Sequence, residues 1–335
     1  MSEPLRFGVV GAGAIAQVAH LPILSSMKDV EVAAVCDTDL PKARALANRL
    51  GISSVYDDIV DMFRHMELDA VVICTPNHLH EVHTTTALSA GVHVLCERPI
   101  AVSSAGAENL VAAQKKADRI LMAGMNHRFR SDVQAVREFL RSDELGEVRS
   151  VRCGWYTYQP PHVLGWRIHR PQAGGGAMQD LGLPLLDLAL WLTDDPRPSA
   201  VSAHVGPAKT NGDVEQDGCA LIRCADGPSI FVDVSWNHVG DREVLWLDMV
   251  GSHGSASISP LRVFKEVNGK PIDVTPSGAQ GRENAFTVSY RGELAHFVAA
   301  IRGDVEPSGL DDQIDLHRLI EAVQRSAAQG CEVTL

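Results

Sequence analysis

The segment Leu5 to Ala16, LRFGVVGAGAIA, constrains this chain more than any other. An apolar run from Phe7 to Val10 stops at Gly11. Gly11, Gly13 and Ala16 then follow in Gly-x-Gly-x-x-Ala spacing, with helix-compatible residues after them. A strand that turns sharply into a helix through this spacing is a dinucleotide-binding turn. Gly11 permits the turn, Gly13 lets a pyrophosphate approach the backbone, and Ala16 is small enough for the helix to pack on the strand. The free N–H groups where the helix opens, around Ala14 and Ile15, then face the phosphates.

A second apolar run, Val30 to Val35, ends in Cys36 and Asp37. Asp37 lies 24 residues past Gly13, close to the ~20 expected of the acid that binds ribose hydroxyls. A carboxylate at that place repels a 2′-phosphate, so the expected cofactor is NAD rather than NADP.

Strand-like segments alternate with helix-like ones through the first third of the chain. Strands are expected at Leu5–Val10, Val30–Cys36, Ala70–Cys74, His93–Cys96 and Ile120–Ala123. Helices are expected at Ile15–Ser26, Pro41–Leu50, Ile59–Met66, Leu79–Ala90 and Ser103–Ala117, with Asn77 as the cap of the fourth. This alternation predicts an α/β fold with a parallel sheet covered on both faces. The pattern changes after about Gly124, which puts a dinucleotide-binding Rossmann domain at 1–124 and a second domain at 125–335. In the second domain a helix at Asp132–Arg141 precedes a strand at Val148–Trp155. A Pro-, His- and Gly-rich loop then runs from Tyr158 to Gly176, followed by an apolar helix at Ala177–Leu192. Strands at Cys219–Arg223, Ser229–Ser235, Val244–Val250 and Ser255–Ile258 are separated by turns such as Asp226-Gly227 and Asn268-Gly269. Helices near Tyr290–Ile301 and Ile314–Ala328 close the chain. The segment from Val201 to Val274 has too few helices to cover both faces of a sheet, and an uncovered face predicts a homodimer or homotetramer.

A net charge of −12 argues against nucleic acid and against anionic membranes as partners. No apolar run reaches the ~18 residues of a membrane span, and the first strand begins too soon after Met1 to leave room for a signal peptide. The seven cysteines are scattered without metal or disulfide spacing, which predicts free thiols in a reducing, cytoplasmic compartment.

The turn GAGAIA, then CTPNHLH (Cys74–His80), HVLCERPI (His93–Ile100), MNHRF (Met125–Phe129) and GGGAMQDLGLPLLDLALWL (Gly174–Leu192) occur in the order seen in the glucose-fructose oxidoreductase, inositol dehydrogenase and rhizopine-catabolism (Gfo/Idh/MocA) family. The chain resembles that family over nearly its whole length. The resemblance implies an N-terminal Rossmann domain and a C-terminal α/β domain with a large, open, mostly antiparallel sheet that commonly forms the subunit interface. It also implies hydride transfer between NAD(P) and a hydroxyl or keto carbon of a sugar, cyclitol or related small molecule. On that basis Thr75, Pro76, Asn77 and His80 line the cofactor cleft. Glu97, Pro99 and Asn126 lie by the nicotinamide, with a cis bond expected before Pro99, and Trp166 and Arg167 reach over the cleft.

Two positions depart from the family's pattern. Arg98 stands where dehydrogenase members carry the lysine of Glu-Lys-Pro, and Pro184 stands where they carry the histidine of Asp-x-x-x-His, although Asp180 remains. Arginine stays charged and can hold an alkoxide or carboxylate, but it cannot accept a proton. Proline's side chain can do neither. The candidate catalytic residues are therefore Arg98 as a charge clamp and Asp180 as a positioning group. The proton carrier remains open among His127, Tyr156, Tyr158, His162 and His169. The same departures keep open a non-catalytic NAD-binding sensor, and the family also has members whose NAD assists elimination, hydrolysis or epimerisation. His78, His80 and His83 form a His-x-His-x-x-His run with no matching acid or cysteine cluster, so no metal site is expected. Gly174, Gly175 and Gly176 lack the Lys-Ser/Thr of a P-loop and are expected to admit substrate or nicotinamide close to the backbone. Trp155 and Trp166 read equally as substrate walls or as core.

Overall fold

A computed structural model describes residues 3–208, 214–277 and 283–335. The chain forms two compact units, one of Met1–Asn126 with Ser289–Ile314 and the other of His127–Val288 with Asp315–Leu335. The sequence reading drew one cut at 124/125, whereas the chain returns to the first unit late.

The first unit carries β1 (Leu5–Val10), a π-turn (Ala16–His20) leading into α1 (Leu21–Ser26), β2 (Val30–Cys36), α2 (Leu40–Leu50) and β3 (Ser54–Tyr56). It continues through α3 (Ile59–His65), β4 (Ala70–Ile73), α4 (Asn77–Ser89), β5 (His93–Glu97), α5 (Ser104–Ala117) and β6 (Leu121–Gly124). All six strands pair in parallel in the order β3-β2-β1-β4-β5-β6. Val71, Val72, Ile73, Val94 and Leu95 are fully buried, as strands covered on both faces require. The order reverses between β1 and β4, the switch point where a ligand finds a crevice beyond the strand ends. Helix starts follow the capping rule: Asp39, Asp58 and Ser103 accept from first-turn amides of α2, α3 and α5. Asn77 departs from it. It is the first residue of α4, and Pro76 holds the cap position without a side-chain cap bond. β3 escaped the sequence reading because three half-buried residues carry no usable period.

The second unit holds α6 (Ser131–Arg141), β7 (Val148–Tyr156), α7 (Pro161–Leu164), a 3-10 turn (Gly165–Ile168), α8 (Arg170–Ala173) and a π-turn (Met178–Gly182) leading into α9 (Leu183–Leu192). Next come β8 (Pro198–Val205), β9 (Asp217–Cys224), β10 (Ser229–Ser235), β11 (Val244–Gly251), β12 (Gly254–Ile258), β13 (Arg262–Val267) and β14 (Lys270–Asp273). The helices α10 (Ala285–Arg302) and α11 (Asp311–Gln329) each run from one unit into the other, and β15 (Val333–Thr334) ends the chain. These nine strands form one sheet in the order β14-β13-β12-β11-β7-β10-β9-β8-β15. Its pairs are antiparallel except β7 with β10. Side chains alternate across it. Val151, Ile222, Ile230, Val232, Leu247 and Met249 are buried, and α6, α9 and the π-turn pack on its strands. On the alternate positions Ser202, Leu221, Phe231, Arg152 and Asp248 line up as cross-strand neighbours, and Leu221 and Val250 are each 50% exposed.

Two expectations change here. The stretch from Tyr158 to Gly176 is not a plain loop but carries α7, a 3-10 turn and α8, each of four residues; prolines in the first turns of α7 and α8 suit φ to a helix start. The strands β13 and β14, on either side of the Asn268-Gly269 turn, were missed because both are largely exposed and show little apolar alternation. In the first unit, α10 buries Ser289, Tyr290, Glu293, Leu294 and Phe297, and the Phe297 ring meets Phe7 of β1 edge-on at 6.0 Å.

Candidate functional site

The glycine turn closes β1 onto the switch point. Gly11 has φ +97°, and a Cβ there would stand 2.7 Å from the Cys74 carbonyl oxygen, so protein packing alone demands glycine. Gly13 differs. A Cβ there would meet no protein atom within 4 Å, and its φ lies outside the left-handed region. The space beside it is the kind a pyrophosphate needs, so the turn fits a dinucleotide. Ala14 is exposed, Ile15 half-buried and Ala16 fully buried against the sheet. At the tip of β2 the Asp37 carboxylate accepts from the amides of Ala12 (2.7 Å) and Asp39 (2.9 Å) and pairs with Lys42 at 3.0 Å. Burial alone would raise its pKa, but the two amides and Lys42 outweigh it and hold the carboxyl below its usual value.

At the ends of β4 and β5 lie Thr75, Pro76, Asn77, Glu97, Arg98 and Pro99. The Arg98–Pro99 bond is cis, as expected. Glu97 is buried and takes a 2.7 Å bond at Oε1 from Nε2 of His20, itself fully buried, while its Oε2 accepts from the Arg98 amide. Burial works to raise Glu97; the His20 bond and the nearby charges of His20, Arg98 and His80 pull it below the usual range. Glu293 of α10 is fully buried, and neither of its oxygens has a hydrogen-bond partner among the described residues. Burial first, and then the Glu97 charge, push it well above an ordinary carboxyl, so it is the protonated member of the pair. Asn126 is buried and donates through Nδ2 to Ser289 Oγ at 2.9 Å. His80 is 1% exposed, with both ring nitrogens turned to backbone carbonyls.

The remaining candidates belong to the second unit. His127 is buried, its ring edge-on to Trp155 at 5.1 Å. Tyr156 donates to Asp233, and burial together with that carboxylate pushes it up to about 12, which removes it as a proton carrier near neutrality. Tyr158, His162 and His169 are exposed, and Arg167 lies over the Trp166 ring at 4.6 Å. Trp155 donates to Glu243 at 2.7 Å. Asp180 Oδ2 accepts from the Trp236 indole at 3.1 Å, and Pro184 is buried in α9. The glycine triplet has a different cause from the one expected. A Cβ on Gly176 would overlap the Glu215 carbonyl oxygen, and one on Gly175 would stand 2.9 Å from both Gln179 and Gln324. The close approach is therefore to the protein itself. Buried Glu215 accepts from the amides of Gly176 (3.0 Å) and Met178 (3.3 Å) and fixes the entry to the π-turn. Among the described residues no group of three His, Cys, Asp or Glu side chains is placed to hold a metal ion.

Residues 5–125 match the family model for oxidoreductases with an NAD-binding Rossmann fold, and residues 133–257 match the C-terminal domain of the same family. The chain belongs to the Gfo/Idh/MocA family. It is thus an oxidoreductase, and its first unit is the family's NAD-binding fold. It is 28% identical to a D-glucoside 3-dehydrogenase of Escherichia coli (strain K12), covering 100% of this chain and 98% of that protein. It is 32% identical to a 1,5-anhydro-D-fructose reductase of Ensifer adhaerens, covering 97% of each. The crystal structure of GenD2 from gentamicin A biosynthesis, in complex with NAD, superposes with a TM-score of 0.88 at 28% identity over 100% of this chain and 97% of that one.

Sequence reasoning passed over His20, Glu215 and Glu293. For Glu293 a signal existed: within YRGELAHFVAAI it is an acid on the same helical face as Tyr290, Leu294 and Phe297. Glu215 had none, because its partners are backbone amides some 40 residues away.

Proposed function

We propose that this member of the family is an NAD-dependent dehydrogenase or reductase acting on a hydroxyl or keto carbon of a sugar, cyclitol or similar small molecule. The observation that carries the cofactor half is the open space at Gly13 beside the packed Gly11, with Asp37 fixed as a carboxylate at the tip of β2. Asp37 favours NAD over NADP. The substrate class is supported by relatives named as dehydrogenases and reductases of glucoside, anhydrofructose and apiose. When bound, the nicotinamide supplies the hydride acceptor or donor. Gly11, Gly13, Ala14, Ile15, Ala16 and Asp37 would hold the dinucleotide at its phosphate and ribose end. Thr75, Pro76, Asn77, Glu97, Arg98 and Asn126 would serve its other end, and Trp166 and Arg167 complete the proposed set.

In this reading the Arg98 guanidinium holds the substrate oxygen as negative charge develops on it, and stays protonated throughout. Asp180 positions substrate, and the proton moves through one of His127, Tyr158, His162 and His169. Seven free thiols support a reducing compartment such as the cytoplasm. Among the described residues no helix is long and apolar enough to cross a membrane.

A panel of sugars, cyclitols and hydroxy acids, followed by nicotinamide absorbance, tests the proposal. Arg98→Ala should lose about 100-fold in kcat/KM, the ~3 kcal/mol typical of one oxyanion donor. Arg98→Lys should keep part of the activity and gain a pH dependence, since lysine titrates. Unchanged kcat/KM in Arg98→Ala would remove the clamp. The second reading, an NAD-binding sensor, draws on Arg98 and Pro184 standing where catalytic members have lysine and histidine. Tight NAD binding without turnover of any substrate class would favour it.

A further inference from the structure

His80 sits in the first turns of α4, 1% exposed. Its Nδ1 lies 2.7 Å from the Pro99 carbonyl oxygen and its Nε2 lies 2.6 Å from the Thr75 carbonyl oxygen. A carbonyl oxygen only accepts. A neutral imidazole has one N–H and one lone pair, so it would turn a lone pair onto a carbonyl at hydrogen-bond distance, and no solvent reaches the ring to relieve it. Exchanging the tautomer cannot help, because both nitrogens face acceptors. In this ring orientation both contacts are hydrogen bonds only when both nitrogens carry protons.

We propose that His80 is a positioning residue held as an imidazolium at neutral pH, which ties the loop after β4 to the loop after β5 and sets a positive charge near Glu97. Thr75 follows β4 and Pro99 follows β5, neighbouring strands of the parallel sheet. Their loops carry the residues assigned above to the nicotinamide end, so the functional part of this inference rests on that assignment. Two charge-assisted bonds from one ring set the spacing of the loops. The charge also helps Glu97 to stay ionised.

The groups around the ring are consistent with this state. Cys96 and Glu97 face it from β5, His78 and His83 share its helix, and Asp58 stands at the head of α3. His83 is pulled down by burial and by His80 and His78, so it does not compete for the proton. Burial would lower His80, but Cys96 and the two carbonyls together raise it to about 9. A histidine raised in the folded state stabilises fully below its unfolded pKa of ~6.5. That contribution fades as pH rises through about 9.

The test starts with nitrogen-15 spectra of histidine-labelled wild type without cofactor. The imidazole assigned to His80 should show both ring nitrogens protonated at pH 8, with two slowly exchanging N–H protons. If that ring is neutral there, the inference is overturned. Titration of NAD into His80→Gln should then show binding weakened by roughly 10-fold to 100-fold, the scale of a displaced positioning group. A folded His80→Gln that binds NAD like wild type would overturn the positioning role. Should the variant not fold, the wild-type spectrum and the loss of thermal stability between about pH 6.5 and 9 still decide the charge state. Failure of wild type to bind NAD would sink the cofactor reading instead, and the ring spectrum would stand apart from it.

Discussion

Gly11 and Gly13 stand two positions apart and are glycine for different reasons. Gly11 answers to the protein, through its φ of +97° and the Cys74 carbonyl that any Cβ would strike. Gly13 answers to nothing the protein itself presents. Substitution therefore separates folding from binding. Gly11→Ala should lower unfolding free energy by about 2 kcal/mol or more, from left-handed strain plus the clash. Gly13→Ala should leave stability within ~0.5 kcal/mol but weaken NAD binding by roughly tenfold, the weight of one ~1.4 kcal/mol contact. Denaturant melts and cofactor titration of both variants check this. A Gly13→Ala protein that binds NAD as wild type does would show that the open space is not the phosphate site. The buried acids show a similar division of labour. Glu97 keeps its charge because His20, Arg98 and His80 lie near it, while Glu293, with no hydrogen-bond partner among the described residues, is pushed toward its protonated form.

At the scale of elements, α9 is apolar nearly all round, and its one buried charge needs an explanation. Asp187 is 3% exposed and receives two bonds from the Arg128 guanidinium, whose own exposure is 8%. The bidentate fork satisfies both carboxylate oxygens and joins the 3-10 turn at Asn126–Phe129 to the middle of the helix. Arg128 and Arg137 also lie over Trp191 of α9, at 5.6 and 3.3 Å from the ring centre. Replacing Arg128 with leucine strands a carboxylate in the core and should cost ~3–5 kcal/mol. The double replacement Arg128→Leu, Asp187→Leu should recover most of that loss, because the penalty belongs to the unpaired charge. Urea denaturation of the two variants measures the difference. Equal losses would mean that the pair is worth more than its desolvation.

Over the whole molecule, the nine-stranded sheet has one face covered by helices and the π-turn, and another that bears Leu221, Phe231 and Val250 among Arg152, Asp248 and Ser202. A face with half-exposed apolar side chains on adjacent strands suits a second copy of the same sheet, in a closed dimer or a tetramer built from it. Light scattering at micromolar concentration should give two or four times the 36.1 kDa chain mass. Leu221→Asp should shift the population toward the single chain without changing the melting of the Rossmann unit. A monomeric wild type would count against this assembly.

The sequence by itself determined the elements whose chemistry is local. The glycine turn, the parallel α/β alternation, Asp37 at a strand tip and the family all follow from residues close together in the chain, because periodicity and turn geometry act over a few positions. The tertiary structure decided whatever depends on distant partners. His80 reads in sequence as one of three helical histidines, and only Thr75 and Pro99, brought together by neighbouring strands, make it a clamp. The glycine triplet reads as room for a ligand, and only the Glu215 backbone reveals it as room for the protein. Glu293 stands in sequence on the apolar face of a helix, and only its place beside Glu97 in the first unit pushes its carboxyl up. Protonation states and close approaches are set by what surrounds a group in space, and that environment is assembled only when the chain folds.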